Sequence, residues 1–187
     1  MIDLISNEQL AIQVQQGDGQ ALELLVTRYH GPIHAYVMRM GVEYHAASDL
    51  VQEVFIKVFR NIAKYNVQLP FQPWIYTIAS NTCKDYFKKA YVQKDFPVFN
   101  HPEGTVVSPD TPESILLFNQ DRERVVQALE CLKEIYREVL ILRYYQDLKL
   151  EEISIVMDIP IGTVKSRLFT ALEHLRRMLA REEGADD

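Results

Sequence analysis

Apolar residues recur at steps of three and four along most of the chain, the spacing that places side chains on one face of an α-helix. Between Asn7 and Tyr91 this pattern is almost continuous, and no stretch alternates as a half-buried strand would. It is clearest from Ser48 to Ile62, where Ser48 is placed to cap the helix. The apolar stripe there comprises Leu50, Val51, Val54, Phe55, Val58 and Ile62. The pattern predicts an all-α fold.

A proline-rich segment interrupts the helical pattern in the middle of the chain. Residues 93–113 contain four prolines, and four acidic residues against one basic residue. Because proline lacks the amide hydrogen and clashes with the preceding turn, this segment cannot sustain a helix and should form an extended acidic linker. Helical periodicity resumes near Ile115. The sequence therefore predicts two small helical domains, residues 1–92 and 114–187, joined by the linker 93–113.

The segment from Leu148 to Leu175 has the pattern of a helix-turn-helix. Its first helix has a shared apolar face, Asp158, Pro160 and Gly162 break the pattern, and a second helix follows. Two helices with these faces can cross over one small core. The inward residues are Leu150, Ile153, Val156 and Met157 in the first helix, and Val164, Leu168, Ala171, Leu172 and Leu175 in the second.

Hydrogen-bond donors point outward from the second of these helices. They are suited to phosphates and to base edges in a major groove, and they comprise Thr163, Lys165, Ser166, Arg167 and Thr170. The chain as a whole has a net charge of -6, whereas residues 159–181 hold five basic residues and one acidic residue. Because non-specific DNA affinity grows with the number of phosphates neutralised, so few cations on an acidic chain should bind DNA weakly alone.

Two further surfaces stand out in the first half of the chain. A polar face around Ile56 suits a partner with arginines and an apolar pocket, although an ordinary amphipathic helix fits equally well; it comprises Asp49, Gln52, Glu53, Ile56 and Lys57. A second cluster has the aromatic surface, amide and positive charge needed to hold an unstacked base; it comprises Trp74, Tyr76, Asn81, Lys84 and Lys88. Trp74 at a helix start is also expected to serve the core.

Other classes of function are disfavoured. No run of about 18 apolar residues could span a bilayer, and the segment MIDLISNEQL lacks a signal-peptide pattern, so the protein is expected in the cytoplasm. His30 and His34 have a spacing that can bind zinc, but no third ligand is evident beyond the distant His45. No phosphate loop, nucleophile elbow or carboxylate pair is present, so neither catalysis nor a metal or cofactor is expected.

Several segments resemble one family. EEISIVMDIPIGTVKSRLFTALEHLRR is similar to promoter-binding region 4 of bacterial sigma factors, with a dense match from Gly162 to Leu168. QQGDGQALELLVTRYHGPIHAYVMRM resembles the opening helices of sigma region 2. DLVQEVFIKVF is similar to the polymerase-binding helix of that region, and FQPWIYTIASNTCKDYFKK to its promoter-melting segment. Because only regions 2 and 4 are represented, the resemblance is to the small extracytoplasmic-function (ECF) group of the sigma-70 family.

The resemblance implies a function for each surface. The Asp49 to Phe59 helix would bind core RNA polymerase, the donors from Thr163 to Thr170 would read the minus-thirty-five element, and the surroundings of Asn81 would read the minus-ten element and capture its single strand. Acidic residues of the linker would act as a polyanion in polymerase channels; they are Asp95, Glu103, Asp110 and Glu113. An anti-sigma protein, which in this family is often membrane-bound, would hold the factor inactive. No small-molecule substrate is implied.

Two other functions stay open from the residues alone. A dimeric regulator could bind operators directly through the same helix-turn-helix, and an adaptor could use the Asp49 to Phe59 surface without DNA. The chain also departs from the family pattern at Thr77, Thr170 and Leu172, where arginines are common. Lys149 stands where the family has a serine N-cap, a change that could cost ~1 kcal/mol.

Overall fold

The first domain is built from four helices. A computed structural model describes residues 5–93 and 125–183, so the predicted linker, apart from its first residue Gln93, falls outside the described residues. The helices of this domain are α1 (Asn7–Gln15), α2 (Gly19–Arg39), α3 (Tyr44–Asn61), which continues into a short 3₁₀ turn (Ile62–Lys64), and α4 (Phe71–Gln93).

The second domain is also helical. Residues 125–130 form α5, followed by α6 (Glu134–Leu140), a π-helical turn (Ile141–Tyr145), α7 (Leu150–Met157) and α8 (Ile161–Glu183). Only helices, turns and irregular segments occur in the two described ranges, so the all-α prediction is confirmed.

Side-chain caps fix three of the helix starts. The Ser6 side chain accepts from the Gln9 amide of α1 and the Gln9 side chain accepts from the Ser6 amide, each at 3.2 Å, which forms a capping box. The carboxylate of Asp18 accepts from the first amides of α2. At α7 the ammonium of Lys149 cannot accept a hydrogen bond, but Glu152 Oε2 accepts from the Lys149 amide at 2.7 Å, which retains half of the box.

The predicted start of α3 at Ser48 is wrong. The helix begins at Tyr44 with Glu43 as the N-cap residue, whose side chain makes no capping bond. Ala47 lies within the first turn and is fully buried. Burial of the Ala47 side chain extends the helix past the polar residue that could have capped it, because tertiary packing outweighs a capping preference.

An aromatic cluster forms the end of the first domain where α4 begins. The Phe71 ring lies 5.5 Å from Tyr29, 5.4 Å from Tyr65 and 5.4 Å from Trp74, centroid to centroid. Phe71 is fully buried, and its amide donates to Glu8 Oε1 at 3.0 Å. These contacts hold the N-terminus of α4 against α1 and α2, so the residues farther along α4 project from a rigid base.

Phe71→Ala should lower the free energy of unfolding by about 3–5 kcal/mol, because it removes a large side chain from a closely packed site. Phe169→Ala provides a matched control, since that ring is 69% exposed and its loss should change the stability by less than about 0.5 kcal/mol. Urea unfolding followed by circular dichroism measures both. Equal effects of the two substitutions would contradict this core assignment.

The two domains lie in direct contact. Helix α7 packs on one side against α4 of the first domain and on the other against α8, while α6 also packs against α8. The buried apolar residues of both domains form one continuous cluster, from Leu10 in α1 to Ala171 in α8. The second domain thus lies beside the α4 helix that holds the predicted single-strand site.

Candidate nucleic-acid and polymerase interfaces

A tight turn sets the angle between α7 and α8. Asp158 adopts the left-handed conformation at φ 53° as the C-cap of α7, and Ser154 Oγ donates to the Ile159 carbonyl at 2.5 Å. The amides of Thr163 and Val164 then donate to the Pro160 carbonyl at 2.9 and 3.0 Å. Because α7 and α8 pack together behind this turn, the arrangement is a helix-turn-helix, and Gly162 lies in the first turn of α8 rather than before it.

The outward face of α8 is open to solvent. Lys165 and Ser166 are exposed, while Thr163, Arg167 and Thr170 are half-buried. Val164 and Ala171 point the opposite way and are fully buried. A helix that exposes a cation and hydroxyls near its N-terminus can meet both phosphates and base edges in a major groove.

Phe169 belongs to this face and was missed in the sequence prediction. It lies four residues from Lys165 and three from Ser166, so the three side chains are neighbours on the helix surface. Its ring is 69% exposed, and an apolar ring can contact a thymine methyl group. The sequence did contain a signal for this exposure, because Phe169 falls outside the apolar stripe that forms the inward face of α8.

The cluster on α4 is divided between surface and interior. Asn81 and Lys88 are exposed, and Lys84 is half-exposed with its ammonium 3.5 Å from Glu138 Oε1. Trp74 packs on Tyr65 and Phe71 at ring-centroid distances of 5.0 and 5.4 Å, which agrees with its expected structural role in the core.

Tyr76 departs from its predicted exposure. It is buried, stacks edge to face with Tyr36 at 5.4 Å, and donates its hydroxyl hydrogen to Gln146 Oε1 of the second domain. This burial raises the pKa of the phenol above its usual value. In this arrangement the Tyr76 ring is not available to a nucleic-acid base.

The outward face of α3 combines polar and apolar side chains. Asp49, Gln52 and Ile56 are exposed, and Ile56 has 49% of its surface in solvent. Phe59, which the sequence prediction omitted, lies three residues after Ile56 and is 59% exposed. An apolar centre with a carboxylate and an amide beside it can pack on a partner and pair with its basic residues.

Lys57 has an intramolecular role. Its ammonium lies 2.8 Å from Glu53 Oε1, 3.7 Å from Asp85, and 3.1 Å from Thr82 Oγ1, to which it donates. The hydrogen bond from Lys57 holds the pKa of Glu53 below its usual value, against a smaller opposing effect of burial. Lys57 therefore ties α3 to α4, and the exposed part of the predicted partner surface is centred on Ile56.

Comparison with known families identifies both halves of the chain. Residues 25–91 match the model of sigma-70 region 2, and residues 122–175 match that of sigma-70 region 4. The RNA polymerase sigma-H factor of Pseudomonas aeruginosa is 31% identical over 186 residues, covering 96% of each chain. The chain belongs to the sigma-70 family.

Further relatives place this sigma factor in the ECF group. The ECF RNA polymerase sigma-E factor of Escherichia coli K12 is 33% identical over 180 residues, covering 92% of this chain and 94% of the relative. The solved structure of CnrH in complex with the cytosolic domain of CnrY has the same fold, with a TM-score of 0.72, 20% identity and coverage of 94% and 97% of the two chains. This ECF sigma factor binds core RNA polymerase and directs promoter-specific initiation of transcription. A dimeric operator-binding regulator is not favoured.

The described parts of this sigma factor contain no group of three or more metal-binding side chains close enough to hold an ion. His30 and His34 lie with their rings 6.4 Å apart, and His30 also stacks on Phe55 at 6.4 Å. Within residues 5–93 and 125–183, every helix is too short or too polar to cross a bilayer.

Proposed function

We propose that this sigma factor reads the minus-thirty-five element with the outward face of α8. The single observation that carries this assignment is the open face of Lys165, Ser166 and Phe169 on a helix held rigidly by a helix-turn-helix. Lys165 can contact phosphate or a guanine edge, Ser166 can hydrogen-bond to bases, and Phe169 can pack on a thymine methyl. The half-buried flank of the helix, with Thr163, Arg167 and Thr170, would contact the backbone and the adjoining bases.

The minus-ten element would be read by α4. Asn81 and Lys88 are exposed in the structure, and they share one helix face with Lys84 because the three residues are separated by three and four positions. An amide can read a base edge while the two cations hold the strand backbone. Trp74 would shape this surface from within the core, and Tyr76 would join it only after the second domain has moved away.

Core polymerase would bind the outward face of α3. Ile56 and Phe59 supply the apolar centre, Asp49 and Gln52 supply its polar surroundings, and Glu53 can still accept a bond while paired with Lys57. Such a centre, excluded from water by a polar rim, is where binding energy concentrates in protein interfaces.

The remaining assignments rest on membership of the family. We expect the protein to act in the cytoplasm without catalysing a reaction, and to be held inactive by an anti-sigma protein. The proposed domains stay at residues 1–92 and 114–187, joined by the acidic linker 93–113.

Minus-ten reading is tested by Asn81→Ala. We expect roughly 10-fold less open complex on a cognate promoter, because one lost base contact costs about 1–3 kcal/mol. Asn66→Ala is the control, since Asn66 is exposed in the loop before α4. Permanganate footprinting of the holoenzyme measures strand opening. Unchanged opening by the Asn81 variant, with Asn66→Ala also unaffected, would remove Asn81 from the minus-ten site.

A further inference from the structure

An acidic side chain lies within the proposed minus-ten face of α4. Asp85 comes four residues after Asn81 and three before Lys88, and residues at these spacings are neighbours on a helix surface. The Asp85 side chain is 61% exposed. A free carboxylate there would repel the phosphates of a bound strand, because charges within about 10 Å of each other are only partly screened at 0.1 M salt. The face can hold a strand closely only if a cation neutralises Asp85.

Lys57 of α3 supplies a cation at this position. Its ammonium lies 3.7 Å from Asp85 Oδ2 and donates to Thr82 Oγ1 at 3.1 Å. Thr82 and Asp85 are one helical turn apart on α4. The ammonium therefore lies on the side of α4 that faces α3, and its attraction draws the Asp85 carboxylate toward α3.

Thr82 and Glu53 fix the place of this ammonium. Thr82 is buried, and its hydroxyl donates to the Ile78 carbonyl at 2.8 Å, so its lone pairs are left to accept from Lys57. Glu53 Oε1 holds the same ammonium from the α3 side at 2.8 Å. Lys57 is thus held at one position beside α4 and is only 32% exposed.

These contacts disfavour a direct role for Lys57 in binding polymerase or DNA. An ammonium has three hydrogens to donate, and three oxygen acceptors of this chain already surround it, on Glu53, Thr82 and Asp85. A partner would have to displace one of them. The Lys57 side chain is therefore placed to act on the chain itself.

We propose that Lys57 is a positioning residue of the minus-ten surface, which neutralises Asp85 and holds its carboxylate toward α3 so that a strand can approach Asn81. Lys57 acts through Asp85 and touches neither the strand nor the polymerase. The proposal rests on the minus-ten surface assigned to α4 above.

The affinity of the holoenzyme for a single strand tests the proposal. The probe is a fluorescently labelled non-template-strand minus-ten oligonucleotide from a promoter that the holoenzyme transcribes, and fluorescence anisotropy measures its binding. Lys57→Met keeps a long helix-forming side chain without the charge, and it should weaken binding by about 5-fold or more, because it leaves a carboxylate unpaired beside the phosphates. Lys57→Arg retains a cation and should bind within about 2-fold of the unsubstituted protein. Lys133→Met, the same change at an exposed site of the second domain, should have no effect.

Asp85→Asn separates positioning from a direct DNA contact by Lys57. On its own this substitution should change the affinity by less than about 2-fold, since the carboxylate is already neutralised. Combined with Lys57→Met, it should restore most of the lost affinity, because the two residues act as one unit. A loss of less than about 2-fold in Lys57→Met, or an equal gain from Asp85→Asn in both backgrounds, would overturn the proposal.

The affinity for core polymerase separates positioning from a polymerase contact. Lys57→Met should bind core polymerase as tightly as the unsubstituted protein or more tightly, since Glu53 is then free to pair with the partner. Weaker core binding by this variant would return Lys57 to the polymerase surface and contradict the proposal. Restoration of strand binding by Asp85→Asn in the same background would show that the variant is folded, and circular dichroism checks this independently.

Failure of this proposal can be distinguished from failure of the minus-ten assignment. If Asn81→Ala lowers strand opening while Lys57→Met binds the strand normally, α4 remains the minus-ten surface and only the role of Lys57 is refuted. If Asn81→Ala leaves strand opening unchanged, the minus-ten assignment itself is wrong.

Discussion

Replacement of both Lys165 and Arg167 by alanine is expected to lower initiation from a promoter that requires its minus-thirty-five element by roughly 10- to 100-fold, since each good base contact is worth about 1–3 kcal/mol. Lys165 is exposed on α8, and Arg167 lies on the half-buried flank of the same face. Their loss removes positive charge and donors together, while Val164 and Ala171 keep the helix in place from its buried side.

Run-off transcription with core polymerase measures this loss, and co-purification with polymerase should be unchanged. Lys133→Ala is a matched control, because Lys133 is exposed at the start of α6 and makes no side-chain cap. Normal initiation by the double variant on such a promoter would refute the assignment of the minus-thirty-five surface to α8.

Ile56→Asp is expected to weaken binding to core polymerase by about 30-fold or more, because disrupting the centre of an interface costs about 2 kcal/mol or more. The side chain lies between Gln52 and Phe59 on the exposed side of α3. A carboxylate there would be buried against the partner with no positively charged group placed to neutralise it. The fold should be unaffected, since 49% of Ile56 is already in solvent.

The control for this effect is Leu69→Asp. Leu69 is 54% exposed in the loop before α4, so it undergoes the same kind of change away from the α3 face. Fluorescence titration of labelled sigma factor with core polymerase compares the two affinities. Equal affinities of the two variants would remove α3 from the polymerase interface.

The helix-turn-helix was the part most fully predictable from sequence. Its apolar spacing, the turn at Asp158 and Pro160, and the outward donors are all local features, and each is encoded within a few residues. The buried positions of Val164 and Ala171 confirm the predicted inner face. Phe169 was overlooked because single exposed apolar residues are common, so one apolar residue on a polar face does not by itself indicate a function.

The contacts between domains could not be predicted. Glu138 appears in the sequence as one more acid among charged residues, and Tyr76 as an aromatic residue on a helix that also carries lysines. Their burial depends on partners far away in sequence, Tyr36 and Ser80 for Glu138 and Gln146 for Tyr76. Lys57 was likewise assigned to a partner surface. Its bond to Thr82 joins α3 to α4, and helical periodicity alone does not show which helices pack together.

The most direct test of the whole account is promoter-specific initiation by the purified protein with core RNA polymerase. Fragments of the source genome are transcribed in a run-off reaction, with and without the sigma factor. We expect discrete transcripts that require both components, while the sigma factor alone gives no tight gel shift on the same promoters. Absence of promoter-dependent transcripts from every fragment, or tight specific binding without polymerase, would contradict it.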